Sequence, residues 1–266
     1  MFRVGVSSKM NDVTEALLAD YADAGVGAME LCPHWERYDE VDYANVRRLA
    51  DKYGVELWSY HLQFYPIIDL SLSDPDVRKY SLDRLRGQIE RASDIGIGRF
   101  VIHPSKEPIS DEERPERMNA SKEGLHILAD FAERHGAILC VEDLPRTCLG
   151  HNRAEMKELI SADDRLRVCF DTNHLVGEPD DVFARALGDK IVTMHVSDYD
   201  FVDERHWLPG RGKVDWTALV RALSDVGYNG VWMYEIDFTT RAKCGEGEYT
   251  VFDFAANAKE IFAAAK

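Results

Sequence analysis

Short runs of β-branched and aromatic residues alternate with longer stretches in which apolar side chains recur every three or four positions, from one end of the chain to the other. The short runs are Arg3 to Val6, Ala28 to Leu31, Val55 to His61, Arg99 to His103, Ile138 to Glu142, Arg167 to Asp171, Ile191 to His195 and Val231 to Glu235, and they predict eight strands. Between them, segments such as VTEALLADYADAG, YANVRRLADKYG, SLDRLRGQIERASDIG and SKEGLHILADFAERHG predict amphipathic helices. Most end in Gly, the residue suited to a left-handed stop. No linker, second repeat period or low-complexity tract interrupts the series. The pattern therefore predicts an α/β protein that is a single (β/α)8 TIM barrel over residues 1–266, with its active site at the C-terminal ends of the strands. The alternative is a doubly wound open sheet, which gathers its cofactor signal into a glycine-rich turn after the first strand; no GxGxxG follows Val6.

Charge narrows the partners. The 266 residues hold 32 Lys and Arg against 48 Asp and Glu, a net of −16, which argues against nucleic acid or an anionic membrane as partner. The five cysteines, Cys32, Cys140, Cys148, Cys169 and Cys244, form no CxxC pair and fall largely in apolar runs, so they are expected as buried thiols in a reducing compartment. The N-terminus lacks a basic region followed by a long apolar stretch, and no apolar run reaches the roughly 18 residues of a spanning helix. A cytoplasmic protein is expected.

In a barrel, polar residues that terminate apolar strands converge at one mouth. Strands three to eight end in His61, His103, Glu142, Asp171, His195 and Glu235. Any one of these alone would be expected to cap a helix or to serve as a structural group. Jointly, three carboxylates and several imidazoles facing one pocket resist burial unless a cation neutralises them, and a divalent metal does so most simply. Glu142, Asp171, His195 and Glu235 offer three oxygens and one nitrogen from four adjacent strands, which suits Zn, Mn, Co or Mg and leaves positions for substrate.

Six segments, VIHP around His103, VEDLP around Glu142, FDTNH from Phe170 to His174, MHVSD around His195, RHWLPGRGKVDW from Arg205 to Trp216 and MYEI around Glu235, together resemble the xylose isomerase-like barrel superfamily. That group includes sugar isomerases, ketose 3-epimerases, inosose-handling enzymes and the endonuclease IV nucleases. The resemblance implies that Glu142, Asp171, His195 and Glu235 are metal ligands. It implies that Glu142 and Glu235 flank a substrate carbon, one removing a proton beside a carbonyl and the other returning one through a metal-stabilised enediolate. It also implies that His174 binds a substrate oxygen, that the substrate is a small sugar or polyol-derived carbonyl compound, and that the chain forms homo-oligomers.

His61, His103, Glu204 and His206 are similar to the additional ligands of endonuclease IV, whose Asp-Arg-His triplet stands as Glu204-Arg205-His206 here. This leaves a multi-zinc phosphodiester hydrolase as an alternative, and a barrel that binds sugar without turnover as a third. The ketose 3-epimerases carry a substrate-contacting arginine six residues beyond the strand-seven histidine, where this chain has Phe201. Arg205, Arg211 or Arg146 are candidates to replace it; Gly210 and Gly212 flank Arg211 and permit close backbone approach. Trp207 is a candidate wall for a sugar face or a rim residue. Asp215 is expected to cap the helix after strand seven, and Glu30 to orient a group inside the barrel or to sit on its rim. His34, His126, His135 and His151 are expected on the surface or in structural roles.

Overall fold

A computed structural model of the protein describes residues 2–238 and 248–266. Eight parallel strands follow in chain order: β1 (Arg3–Ser7), β2 (Ala28–Leu31), β3 (Glu56–His61), β4 (Arg99–Ile102), β5 (Ile138–Glu142), β6 (Arg167–Asp171), β7 (Ile191–His195) and β8 (Val231–Tyr234). Each strand's bounds agree with the sequence expectation to within one residue at either end. The helices are α1 (Glu15–Ala24), α2 (Tyr43–Tyr53), α3 (Pro75–Ser93), α4 (Arg114–Arg134), α5 (Arg153–Ile160), α6 (Asp180–Leu187), α7 (Trp216–Asp225) and α8 (Val251–Ala264). The sheet runs β7-β6-β5-β4-β3-β2-β1-β8, and the ring closes just past the strand ends, where Val196 N donates to Met233 O at 2.8 Å and Glu235 N to Val196 O at 3.2 Å. The chain is a single TIM barrel. No helix among the described residues is long and apolar enough to cross a membrane.

The pleat sets the inside and outside of the barrel, because successive side chains point to opposite faces of a strand. Ala28, Trp58, Val231 and Met233 form one interior cluster, and Val101, Cys140 and Cys169 a second. Met29, Ile102, Val141, Phe170, Met194 and Trp232 belong instead to the large cluster shared with the helices. A residue two positions beyond an interior one is interior again. His103, Glu142, Asp171 and Glu235 follow Val101, Cys140, Cys169 and Met233 by two, so they finish inside the mouth. Cys32, Cys140, Cys148 and Cys169 are buried free thiols; Cys244 lies outside the described residues.

The loop from Val196 to Asp215 is organised by one buried carboxylate. Asp198 accepts from Tyr199 N (2.9 Å), Val214 N (3.2 Å), Gly210 N (2.7 Å) and Trp216 Nε1 (2.9 Å). Gly212 packs so tightly against Tyr199 O and the Asp198 carboxylate that any Cβ would collide with them, and Gly210 has φ +89°. Both glycines thus serve the loop's own closure rather than a ligand's approach. Asp215 caps α7 by accepting from Ala218 N at 2.9 Å, as expected.

At the start of α5, the half-buried Glu155 accepts from Arg114 Nε at 2.6 Å and Gly150 N at 3.0 Å, with His151 Nδ1 3.2 Å away. Burial alone would raise its pKa, but His151 and Arg114 outweigh that and hold it down to about 2.

Two predictions follow from these contacts. Asp198→Ala strands four donors and should lower stability by about 3 kcal/mol in urea unfolding, against about 1 kcal/mol for the exposed cap variant Asp215→Ala. The folded pKa of Glu155 lies below its ordinary value of 4.5, so its contribution is full above that pH and is lost as pH falls towards about 2. Glu155→Gln should therefore lower stability at neutral pH and flatten the acid limb of a stability-against-pH curve in that window; an unchanged limb would show that the pair contributes nothing.

Candidate metal centre and active site

His195 is the hub of the mouth. Its Nδ1 lies 2.9 Å from Glu142 Oε1, 3.8 Å from Asp171 Oδ2 and 4.0 Å from Glu235 Oε1, so the ends of β5, β6, β7 and the residue after β8 meet at one nitrogen. Its Nε2 lies 3.0 Å from Glu30 Oε2. Glu30 is itself buried and accepts from Ser7 Oγ at 3.1 Å, its partner across β1 and β2, and from Ser59 Oγ at 2.8 Å, which a register shift between β2 and β3 brings opposite it. A carboxylate behind an imidazole fixes ring orientation and directs the other nitrogen forward. Glu30 therefore takes the interior, orienting role of the two the sequence allowed.

The donors fit a divalent cation. Asp171 Oδ1 accepts from Asn173 N at 2.7 Å, but the buried Asp171 Oδ2 has no hydrogen-bond partner. Burial pushes Asp171 upward, Glu235 and Glu142 add to the rise, and His174 opposes it. Burial alone would lower His195, yet the negative charge of Glu30, Glu235 and Glu142 holds it well above the ordinary imidazole range. A field of that sign attracts a cation. Glu142, Asp171 and His195 lie close enough to share one ion, as do His61, His195 and Glu235.

A second ring surrounds this centre. His61 Nε2 and His103 Nε2 lie 3.2 and 3.1 Å from Glu142 Oε2, and Phe64 stacks on His103 with ring centroids 4.5 Å apart. His174 places Nδ1 2.7 Å from Asp143 O and Nε2 3.0 Å from Glu204 Oε1. His206, at φ +49°, sets Nδ1 3.2 Å from Glu235 O, while its backbone N and that of Arg205 donate to Asn173 Oδ1. Burial and Lys9 push His206 down to about 4, so it is neutral at pH 7. Two outer triplets, His61 with His103 and Glu142, and His174 with Glu204 and His206, are also compact enough to hold ions. The longer Glu204 arm thus still reaches the histidines.

His61, His103, Glu142, His174, Glu204, His206 and Glu235 line a cavity of about 300 Å³ whose less polar side is formed by Phe64, Tyr65, Leu144 and Pro145, whereas the fully buried Asp171 and His195 are not in its lining. Arg146, one of the candidate replacement arginines, lines it too, with Nη1 2.8 Å from Glu204 Oε2 and 2.7 Å from Asp203 Oδ1 and Nε 2.9 Å from Glu107 Oε1. Arg205, Arg211 and Trp207 are not among the lining residues. Arg205 Nε donates to Asp200 at 2.8 Å, and Trp207 pairs its backbone with Asp198. Sequence reasoning missed Lys9, which enters the cavity directly after β1 and stands 3.0 Å from Glu235 Oε2. Lys9 stands two residues beyond the end of β1, a weak signal, because a lone cation there falls outside the series of acids and imidazoles that closes the other strands. Burial alone would lower the Lys9 ammonium; the adjacent Glu235 carboxylate raises it instead.

The model of the xylose isomerase-like TIM barrel family matches residues 18–249. The chain belongs to this family. An uncharacterized protein of Methanocaldococcus jannaschii is 27% identical over 82% of the chain and 81% of that protein. A fructoselysine 3-epimerase of Shigella flexneri is 26% identical over 72% of the chain and 71% of that protein, and a probable endonuclease 4 of Thermoplasma acidophilum 26% over 65% and 64%. A crystal structure of a D-tagatose 3-epimerase-like protein shares the fold with a TM-score of 0.86 at 21% identity, covering 99% of this chain and 98% of that one.

The geometry makes Glu30 a test of the centre. Glu30→Gln should weaken affinity for added Mn²⁺ or Zn²⁺ by about 10- to 100-fold in calorimetric titration. For the unaltered protein at 100 times the dissociation constant, the ion should add about 2.7 kcal/mol of stability, reversed by EDTA. A melting curve indifferent to both metal and chelator would reject the site.

Proposed function

We propose that the protein is a divalent-metal-dependent isomerase or epimerase of a small sugar or polyol-derived carbonyl compound. The observation that carries this is the approach of Glu142 and Glu235 to the same His195 nitrogen, 2.9 and 4.0 Å away, at the floor of a cavity about 300 Å³ in volume. That volume sits at the small end of ligand sites. The fructoselysine 3-epimerase relative supports the same chemistry.

Glu142, Asp171, His195 and Glu235 would hold the ion. When bound, it supplies positive charge to oxygens that become negative as the carbon beside a carbonyl loses its proton. One glutamate accepts the proton from carbon, the bonding pair moves into an enediolate, and the other glutamate returns a proton to the opposite face. Glu30 keeps the His195 ring in place throughout. His174, oriented by Asp143 O at Nδ1, exchanges Glu204 for a substrate oxygen at Nε2, and the Phe64 side of the cavity keeps bulk water from the reacting carbon.

A second reading, a multi-zinc phosphodiester hydrolase, draws on the two outer triplets and on the probable endonuclease 4 relative. Elemental analysis separates the two: near one equivalent per chain supports proton transfer, near three supports hydrolysis. A panel of ketoses and inososes should show solvent deuterium entering the carbon beside the carbonyl. Glu142→Gln should reduce that wash-in by at least about 100-fold while substrate still binds. Wash-in that survives the substitution would reject the proton-transfer role.

A further inference from the structure

Lys9 is held in the mouth by an unusual stretch of backbone. It and Met10 take successive left-handed conformations, φ +41° and +67°, where residues with a Cβ cost of order 1–3 kcal/mol each. The surroundings enforce the turn: Met10 N donates to Cys32 O at 2.9 Å, Asn11 N and Nδ2 donate to Ser8 O at 2.8 and 2.9 Å, and Ser8 Oγ donates to Cys32 O at 3.0 Å. Such strain persists where it places a particular group. Here it sends an ammonium, with 18% of the side chain exposed, into the cavity.

The two oxygens of Glu235 divide the space. Oε1 faces His195 and the other carboxylates, and Oε2 faces Lys9. An ammonium has three N–H donors, and Glu235 takes one. Lys9 and Glu235 both line the cavity, so the remaining two donors are within reach of a substrate beside Glu235. We propose that Lys9 is a further catalytic residue, donating hydrogen bonds to the substrate oxygen that gains negative charge as the neighbouring carbon is deprotonated. The inference rests on the isomerase or epimerase reading above. In this step the C–H bond breaks, its proton passes to a glutamate oxygen, and its electron pair forms the carbon–carbon double bond. The carbonyl pair then moves onto oxygen, and Lys9 keeps its protons while its N–H groups hold that oxygen. A preoriented donor of this kind contributes most in the transition state.

The test compares metal-loaded wild type, Lys9→Met and Lys9→Arg. Lys9→Met should lower the rate constant of deuterium wash-in by about 100-fold with little change in KM. It should weaken binding of a sugar hydroxamate, which mimics the enediolate, by a similar factor, and binding of the matching polyol by less than about threefold. Lys9→Arg, which keeps the charge and donors, should recover part of both losses. Metal affinity and melting temperature, measured alongside, should not fall in parallel. Equal loss of hydroxamate and polyol binding, or loss tracking metal affinity, would make Lys9 structural and overturn the inference, as would an unimpaired Lys9→Met. Wild type that neither exchanges deuterium nor binds the hydroxamate would instead remove the underlying reading and this inference together.

Discussion

Three carboxylates and an imidazole meet inside a barrel from which water is largely excluded, and the molecule is arranged around compensating that charge. Unpaired ions in such surroundings are costly, so every acidic oxygen at the mouth calls for a partner. Glu142 and Glu30 lean on His195 from opposite sides, Glu235 leans on Lys9, and Glu204 on His174 and Arg146. The oxygen left over, Asp171 Oδ2, borders the hub, 3.8 Å from His195 Nδ1. The pattern of pairing therefore outlines the space a divalent ion would fill.

The strands, their parallel order and the interior placement of their last residues were legible in the sequence. All three follow from a period of two along short apolar runs and a right-handed crossover between them. Glu142, Asp171, His195 and Glu235 could be grouped for the same reason. Loop residues were harder. Arg205, Trp207 and Arg211 sit in a motif-rich segment, yet the Asp198 carboxylate draws that segment into its own hydrogen-bond network, and the three side chains stay outside the cavity lining. Nothing in a linear pattern reveals which loop residue a buried acid will recruit. Lys9 escaped because its position depends on two left-handed residues in a row, neither of them glycine.

The barrel also separates its labours by depth. Below the mouth, Trp58, Met233 and Val231 fill the interior, and Trp58 Nε1 donates to Thr193 Oγ1 at 3.1 Å, so the lower half is packed with side chains. Glu30 stands at the boundary. Ser7 and Ser59 donate to its carboxylate, and from there it aims His195 upward. The serines beneath the glutamate thus belong to the reacting site through a chain of two hydrogen bonds.

Arg146 fastens three separate connections at the rim: Glu107 after β4, its own turn after β5 at φ +53°, and Asp203 with Glu204 after β7. One guanidinium thus works as a rivet through three leaves. Because Glu204 is also the partner of His174, loosening the rivet would be transmitted to a histidine that touches the centre. An inactive Arg146 variant would therefore report a rim come apart, and would not by itself identify this residue as the hand that grips the sugar.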